Sequence, residues 1–356
     1  RRRKNTGVNI SWLHMRDTME LVKEQFGIES LFFGIGHTAQ YGAAVAALAH
    51  AQLSEADKEA VAHGNLENLL GIAPCDRKLA HEPDFADKPL WKAFKQGKPV
   101  SGVKVYDIHT HVEGPVTRGW VIRESDPAAT VDRMAEFMDR HGVAKLCLIG
   151  EQAMMGDPVE GNRETAELAR RHPGKFMGYF VFNPHYADEI TEELLDGFFR
   201  DPFFVGFKLL ASYWQVPYDD ARYARVWEYA EKHRLPILMH TWGREAEPFR
   251  TIAPKYPHAK FILGHTGGSD AGRKLSEELA LANPNIHLDY CAAFCSTLPW
   301  YKLMDKIDKS RLHFGSDAGP HNEAYELGGF LSMPVPDAEL APILAESFDK
   351  ILADRR

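Results

Sequence analysis

The chain has 356 residues, 44% of them hydrophobic, enough to bury a large core as one α/β barrel or as two smaller domains. A net charge of −8 argues against nucleic acid and anionic membrane surfaces as partners. No apolar run reaches the roughly 20 residues that span a bilayer, no signal-peptide core is present, and Cys75, Cys147, Cys291 and Cys295 show no C-x-x-C spacing, which fits a reduced, cytoplasmic compartment.

Taken in chain order, RRRK reads as a solvated end. Residues 9–48 (NISWLHMRDTMELVKEQFGIESLFFGIGHTAQYGAAVAAL) run strand, helix, strand ending in FG, then a loop into a helix, and 53–72 (LSEADKEAVAHGNLENLLGI) continue as helix. Residues 73–103 are rich in Pro and charge, lack a sustained period, and read as a linker wrapping the surface. From Lys104 onward apolar runs alternate with amphipathic stretches. The runs are VKVYDIHTHV, AKLCLIGE, KFMGYFVFNP, FVGFKLLAS, LPILMHTW, KFILGHTGG, NIHLDYCAA and RLHFGSDAG, and between them lie helical patterns such as DPAATVDRMAEFMDRHG. Continuous apolar strands separated by helices make a parallel sheet covered on its faces. Eight such units in about 250 residues is the size of a closed (β/α)8 barrel.

In nearly every run the polar residues come last: His109 and His111, Glu151, Asn183, Lys208, His240, His265 and Asp317. In a barrel those strand ends share one rim, where catalytic groups collect. One such histidine is ordinary packing; several histidines and an aspartate from five strands at one height are not. His109 and His111 are two apart, so both face the barrel mouth and can share a cation. His240 and Asp317 would complete a nitrogen-rich site with one carboxylate, the way catalytic Zn²⁺ is held. The cation lowers the pKa of a bound water from about 15.7 toward about 7. Asp317 then accepts the water's proton, and His265 polarises or protonates substrate.

The set DIHTH, GFKL, ILMHT, LGHTGG and FGSDAG resembles the amidohydrolase superfamily, specifically its amidohydrolase-2 branch, over Lys104 to the C-terminus and in the family's order. The resemblance implies a TIM barrel in which His109, His111, His240 and Asp317 bind a divalent metal, Zn²⁺ first with Mn²⁺ or Fe²⁺ as alternatives. It implies that His265 binds a second metal or acts on substrate. It leaves Lys208 either a carboxylated bridge between two metals or a counter-ion for a substrate carboxylate. Glu151, Asn183, Tyr213, Trp214, Trp242 and His321 are weaker pocket candidates; Arg118, Arg123 and Arg244 are candidate carboxylate clamps. Glu113 is read as solvated, and His14, His37, His50, His63 and His81 as ordinary surface or packing histidines.

The opening segment repeats the end of the barrel. Residues 9–48 match 285–330 in element order, with Gly34 opposite Gly315 and Gly36 opposite Asp317, so the copy lacks the carboxylate. The reading is a degenerate partial repeat of the barrel's C-terminal βαβα portion over 1–75, a linker over 76–103, and a metal-dependent barrel over 104–356. The rest of the first barrel is expected upstream of this Met-less start. The expected function is a hydrolase that uses a metal-bound hydroxide on a lactone, amide or cyclic carboxylate-type small molecule. The alternatives are a non-oxidative decarboxylase of an aromatic or related carboxylate, and a non-catalytic tandem-barrel scaffold. A homo-oligomer is the weaker expectation on assembly.

Overall fold

The computed structural model describes residues 6–36, 41–74, 86–114, 126–291, 300–319 and 321–356. Two short strands, β1 (Val8–Asn9) and β2 (Leu31–Phe32), pair in parallel around the helix Thr18–Phe26. Eight further strands follow in one parallel sheet: β3 (Tyr106–Val112), β4 (Lys145–Gly150), β5 (Phe176–Val181), β6 (Phe204–Leu209), β7 (Pro236–His240), β8 (Lys260–Gly264), β9 (Ile286–Tyr290) and β10 (Leu312–Phe314). Each pairs with the next in chain order. The sheet curls until its ends meet, with Thr110 bridging Ala318 and the Asp317 N–H donating to the His109 carbonyl at 2.8 Å.

Burial explains why these strands read as unbroken apolar runs. Every residue of β3, β5, β6, β7, β9 and β10 is buried, since helices cover the outside while side chains fill the inside. The helices follow from pattern and caps. In Pro127–His141 the Asp126 carboxylate accepts from the Ala128 N–H, proline opens the first turn, and Val131, Met134, Ala135 and Met138 turn inward. Gly142 ends it at φ 78°, where a Cβ would also lie 2.1 Å from the Val100 carbonyl, so only glycine fits.

The linker is more built than its composition suggests. Pro89–Phe94 forms a helix that buries Leu90, Trp91 and Phe94 in the barrel's own core. A Pro at the first turn and three apolar positions in six residues were too short a window to show a period. Among the described residues no helix is long and apolar enough to cross a membrane.

The opening segment carries a small core of Ile10, Met19, Val22, Leu31, Ala43, Ala47, Leu48 and Val61, which Tyr325 of the barrel joins. Its helix Tyr41–His50 crosses the barrel helix Glu323–Leu331 with small residues at the contact. A Cβ on Gly42 would meet Ser332, and one on Gly328 would meet Ala46, so the helices run antiparallel at close range. Three details of β1 and β2 match β9 and β10. Val8 and Asn9 face Leu31 and Phe32, as Leu288 and Asp289 face Leu312 and His313. A Cβ on Gly34 would lie 2.5 Å from the Asn9 amide, and one on Gly315 would lie 2.5 Å from Asp289 Oδ1. Gly36 and Asp317 share a left-handed backbone, at φ 62° and 57°. This geometry sets Asn9 opposite Asp289, four residues off the alignment that matches Asn9 to Asn285.

Candidate metal centre

The C-terminal ends of the barrel strands bring the sequence-derived residues to one rim. His109 and His111 leave β3 on the same side, their ring centroids 5.4 Å apart. Both are fully or almost fully buried. His109 donates its Nδ1–H to Asp289 Oδ2 at 2.8 Å, and Lys208 Nζ donates to His109 Nε2 at 2.7 Å. A buried carboxylate on one ring nitrogen fixes the tautomer and leaves the other as the ligand atom. Burial, reinforced by the Lys208 charge, keeps His109 well below its usual pKa and therefore neutral.

Asp317 closes the set from the loop after β10. Its Oδ1 lies 2.8 Å from His111 Nε2 and 3.6 Å from His109 Nε2. Its Oδ2 lies 3.4 Å from His321 Nε2. Burial alone would raise its pKa, but the imidazoles of His111, His321 and His109 outweigh it and hold the carboxyl well below the usual range. Two observations test whether this set suits a divalent cation. Ligand atoms of His109, His111 and Asp317 all lie within 4.8 Å of one another. Asp317 Oδ1 is buried and makes no well-directed hydrogen bond among the described residues, despite the nearby nitrogen. Two imidazole nitrogens and a carboxylate oxygen gathered this closely are the donor types that a divalent cation takes, so the residues fit.

His265 and His240 stand beside this group. The His265 ring lies 5.0 Å from that of His109 and 5.1 Å from that of His240. Burial keeps His265 well below its usual pKa, and its Nδ1 has no hydrogen-bond partner among the described residues. A second close group joins His109 and His265 to the buried Cys291, whose thiol burial pushes up. His240 is in neither close group; its Nδ1 is 3.1 Å from Glu245 Oε2. Asp317, His265 and Thr266 hold positive φ values of 57°, 61° and 46°. Such backbone costs about 1–3 kcal/mol per residue and persists only where surroundings enforce it.

Several expectations change. Glu113 is buried and paired with Arg16 at 2.7 Å, not solvated, because the opening segment covers it. His14 is no ordinary surface residue: its ring stacks on His321 with centroids 5.0 Å apart. His50 and His141 are packing histidines, as expected for the first. Trp214 is buried and donates its indole N–H to the Met154 carbonyl, so it roofs the barrel. Asn183 caps a helical turn by accepting from the His185 N–H. Arg244 is exposed and paired with Glu247. Tyr213 and Trp242 stay 40% and 43% exposed beside His240 and His265. Arg118, Arg123, His37, His81, Cys75 and Cys295 lie outside the described residues. Asp289 and Glu245 were not expected at the site. Asp289 had a signal, since it stands two residues past His287 and so on the same face of β9.

A family model described as amidohydrolase matches residues 106–354. No curated protein is a match for this chain. Among solved structures, 2,6-dihydroxybenzoate decarboxylase from Rhizobium superimposes at a TM-score of 0.55 with 17% identity, covering 71% of this chain and 99% of that one. A dihydroxybenzoic acid decarboxylase from Polaromonas, solved with manganese and 2-nitroresorcinol, gives 0.56 and 18%, covering 70% and 97%. A probable 2-pyrone-4,6-dicarboxylic acid hydrolase from Acinetobacter baumannii, solved with citric acid, gives 0.57 and 15%, covering 70% and 99%. At these identities the likeness is one of fold.

Proposed function

The chain belongs to the amidohydrolase-2 family of metal-dependent hydrolases and decarboxylases, and from that premise we propose that it hydrolyses a lactone, amide or cyclic carboxylate-type small molecule. The observation that carries this reading is the Asp317 carboxylate, buried and held well below its usual pKa beside two imidazoles. Ionised at neutral pH, it accepts the proton of a water attacking an acyl carbon. His109, His111, His240 and Asp317 would hold the cation, with Zn²⁺ first and Mn²⁺ or Fe²⁺ as alternatives, since imidazole and carboxylate donors suit all three. When bound, the cation supplies an acidified water and a Lewis acid for the carbonyl. Asp317 then returns its proton to the leaving group, while neutral His265 donates a hydrogen bond to the substrate oxygen.

A decarboxylase is the second reading, and Lys208 is what favours it. Its ammonium is fully buried beside His109, where it would serve as counter-ion for a substrate carboxylate. Tyr213 and Trp242 would flank a flat ring. In this reading a water gives up the proton that replaces carbon dioxide, relayed to the carbon through Asp317 or His265. Against the scaffold alternative stand the chain's enzyme family and the convergence of His109, His111 and Asp317.

Turnover of lactone and aromatic carboxylate panels in ¹⁸O water separates the two. Label in the product without carbon dioxide supports hydrolysis; release of carbon dioxide with no label in the remaining product replaces it with decarboxylation. Asp317→Ala should abolish either activity while leaving the circular-dichroism spectrum intact, and an active, metal-replete variant would refute the role given to Asp317.

The opening residues we read as a degenerate copy of the barrel's last quarter. The matching register, the paired glycine contacts and the shared left-handed backbone at Gly36 and Asp317 support this. In the copy Asn9 stands for Asp289 and Gly36 for Asp317, so it keeps the fold and lacks the ligands. A homo-oligomer of the whole chain, in a cytoplasmic setting, stays part of the proposal.

A further inference from the structure

The part of the opening segment between β1 and the helix Thr18–Phe26 lies against the barrel's mouth. Met15 forms an antiparallel bridge with His321, and the Asn322 N–H donates to the His14 carbonyl at 2.7 Å. The imidazole of His14 stacks on that of His321, the planes 21° apart. His14 Nδ1–H is held in turn by the Trp12 carbonyl at 2.9 Å, which fixes the ring that does the stacking. Two residues on, Arg16 Nη2 donates to Glu113 Oε2 at 2.7 Å. These ties fall just beyond two of the ligand positions: Glu113 is two residues beyond His111, and His321 is four beyond Asp317.

What lies between them needs holding. Asp317 carries a left-handed backbone that an aspartate adopts only at a cost, and its carboxylate is shared between His321 on one oxygen and His111 with His109 on the other. A His321 ring free to turn would release Oδ2 and let the carboxylate rotate away from the two imidazoles. His321 is 2% exposed, and the ring stacked on it belongs to the opening segment, not to the barrel.

We propose that Leu13–Asp17 forms a wall of the metal centre, and that His14 is a positioning residue that fixes Asp317 through His321 for a divalent cation. The inference rests on the metal-centre reading above and adds to it a group from outside the barrel. It makes the degenerate copy a working part of the site: the copy lost its own ligands and now aligns those of its neighbour.

The test measures Zn²⁺ and Mn²⁺ affinity by chelator competition on the full chain, together with its thermal midpoint. His14→Ala should weaken binding about tenfold or more, the usual size of an effect on a ligand's support. His14→Phe, which keeps a ring to stack but no nitrogen, should recover most of that loss. Lys23→Ala breaks an exposed tie to Asp57 in the same segment and should leave affinity unchanged, which separates a local effect from loosening of the segment. Wild-type affinity in His14→Ala overturns the proposal, as does equal weakening in His14→Phe and Lys23→Ala. Absence of any binding by the wild-type chain would instead overturn the metal-centre reading. Should His14→Ala fail to fold, His14→Leu, which keeps bulk but no aromatic ring, takes its place: it should weaken binding about tenfold relative to His14→Phe, and wild-type affinity in it overturns the proposal.

Discussion

Arg16 and Glu113 meet 97 residues apart in sequence, with side chains only 8% and 3% exposed. Arg16→Met removes the cation and leaves a carboxylate in a low-dielectric site, close behind the strand that carries His111. Breaking a buried pair from one side costs about 3–5 kcal/mol, because the remaining charge stays desolvated. That is a large share of the roughly 5–15 kcal/mol that keeps a domain folded. Replacing both partners by methionine removes both charges and should be close to neutral, since apolar packing recovers much of what the pair supplied. Urea denaturation of the two single variants and the double variant gives the coupling directly. The expected pattern is two costly singles and a double that is less costly than either. If Arg16→Met falls within about 0.5 kcal/mol of wild type, the pair behaves as an exposed one and the opening segment is not tied to the barrel through it.

Asp289→Asn should weaken metal affinity about 10- to 100-fold, because His109 loses the buried oxygen that orients its ring; unchanged chelator competition would rule the triad out. Gly328→Leu places a Cβ 2.2 Å from that of Ala46 and 2.8 Å from the Gly42 carbonyl, so it should cost about 1–3 kcal/mol or more in urea titration. The stability of the fold should also fall in mild acid. Burial lowers His50, His141 and His313 to a pKa of about 3 each, whereas unfolded histidine titrates near 6.5. Between those values the unfolded chain binds more protons at these histidines, so their contribution is full above about pH 6.5 and drains as pH falls toward 3, by about 1.4 kcal/mol per unit for each; Glu323, which burial raises to about 8, acts in the opposite direction and offsets one of the three. Equal urea midpoints at pH 7.5 and pH 5 would contradict this.

The barrel was legible because its signals are local and repeated. Nearly every strand is an apolar run ending in a polar residue, and helical periods of three and four follow. His109, His111, His240, His265, Lys208 and Asp317 all reach the rim for that reason. What the sequence hid are relations set by closure. Asp289 lies 180 residues from His109, and only the return of the sheet to β3 brings them to 2.8 Å. Glu113 looked solvated because nothing near it in sequence could cover it; the residue that does comes from the opening segment. His14 resembles any other histidine until Met15 is bridged to His321. The short helix Pro89–Phe94 was missed because six residues with a proline cannot display a period, although Trp91 and Phe94 go into the core.

The bridge between Met15 and His321 also orders events in time. Tyr325 donates its hydroxyl to the Ser11 carbonyl across 314 residues of chain, and the pairing beside it is of similar reach. Loop closure over such a span yields no contact until both ends exist and the barrel between them is largely formed. Docking of the opening segment on the loop after β10 therefore waits for the barrel to close.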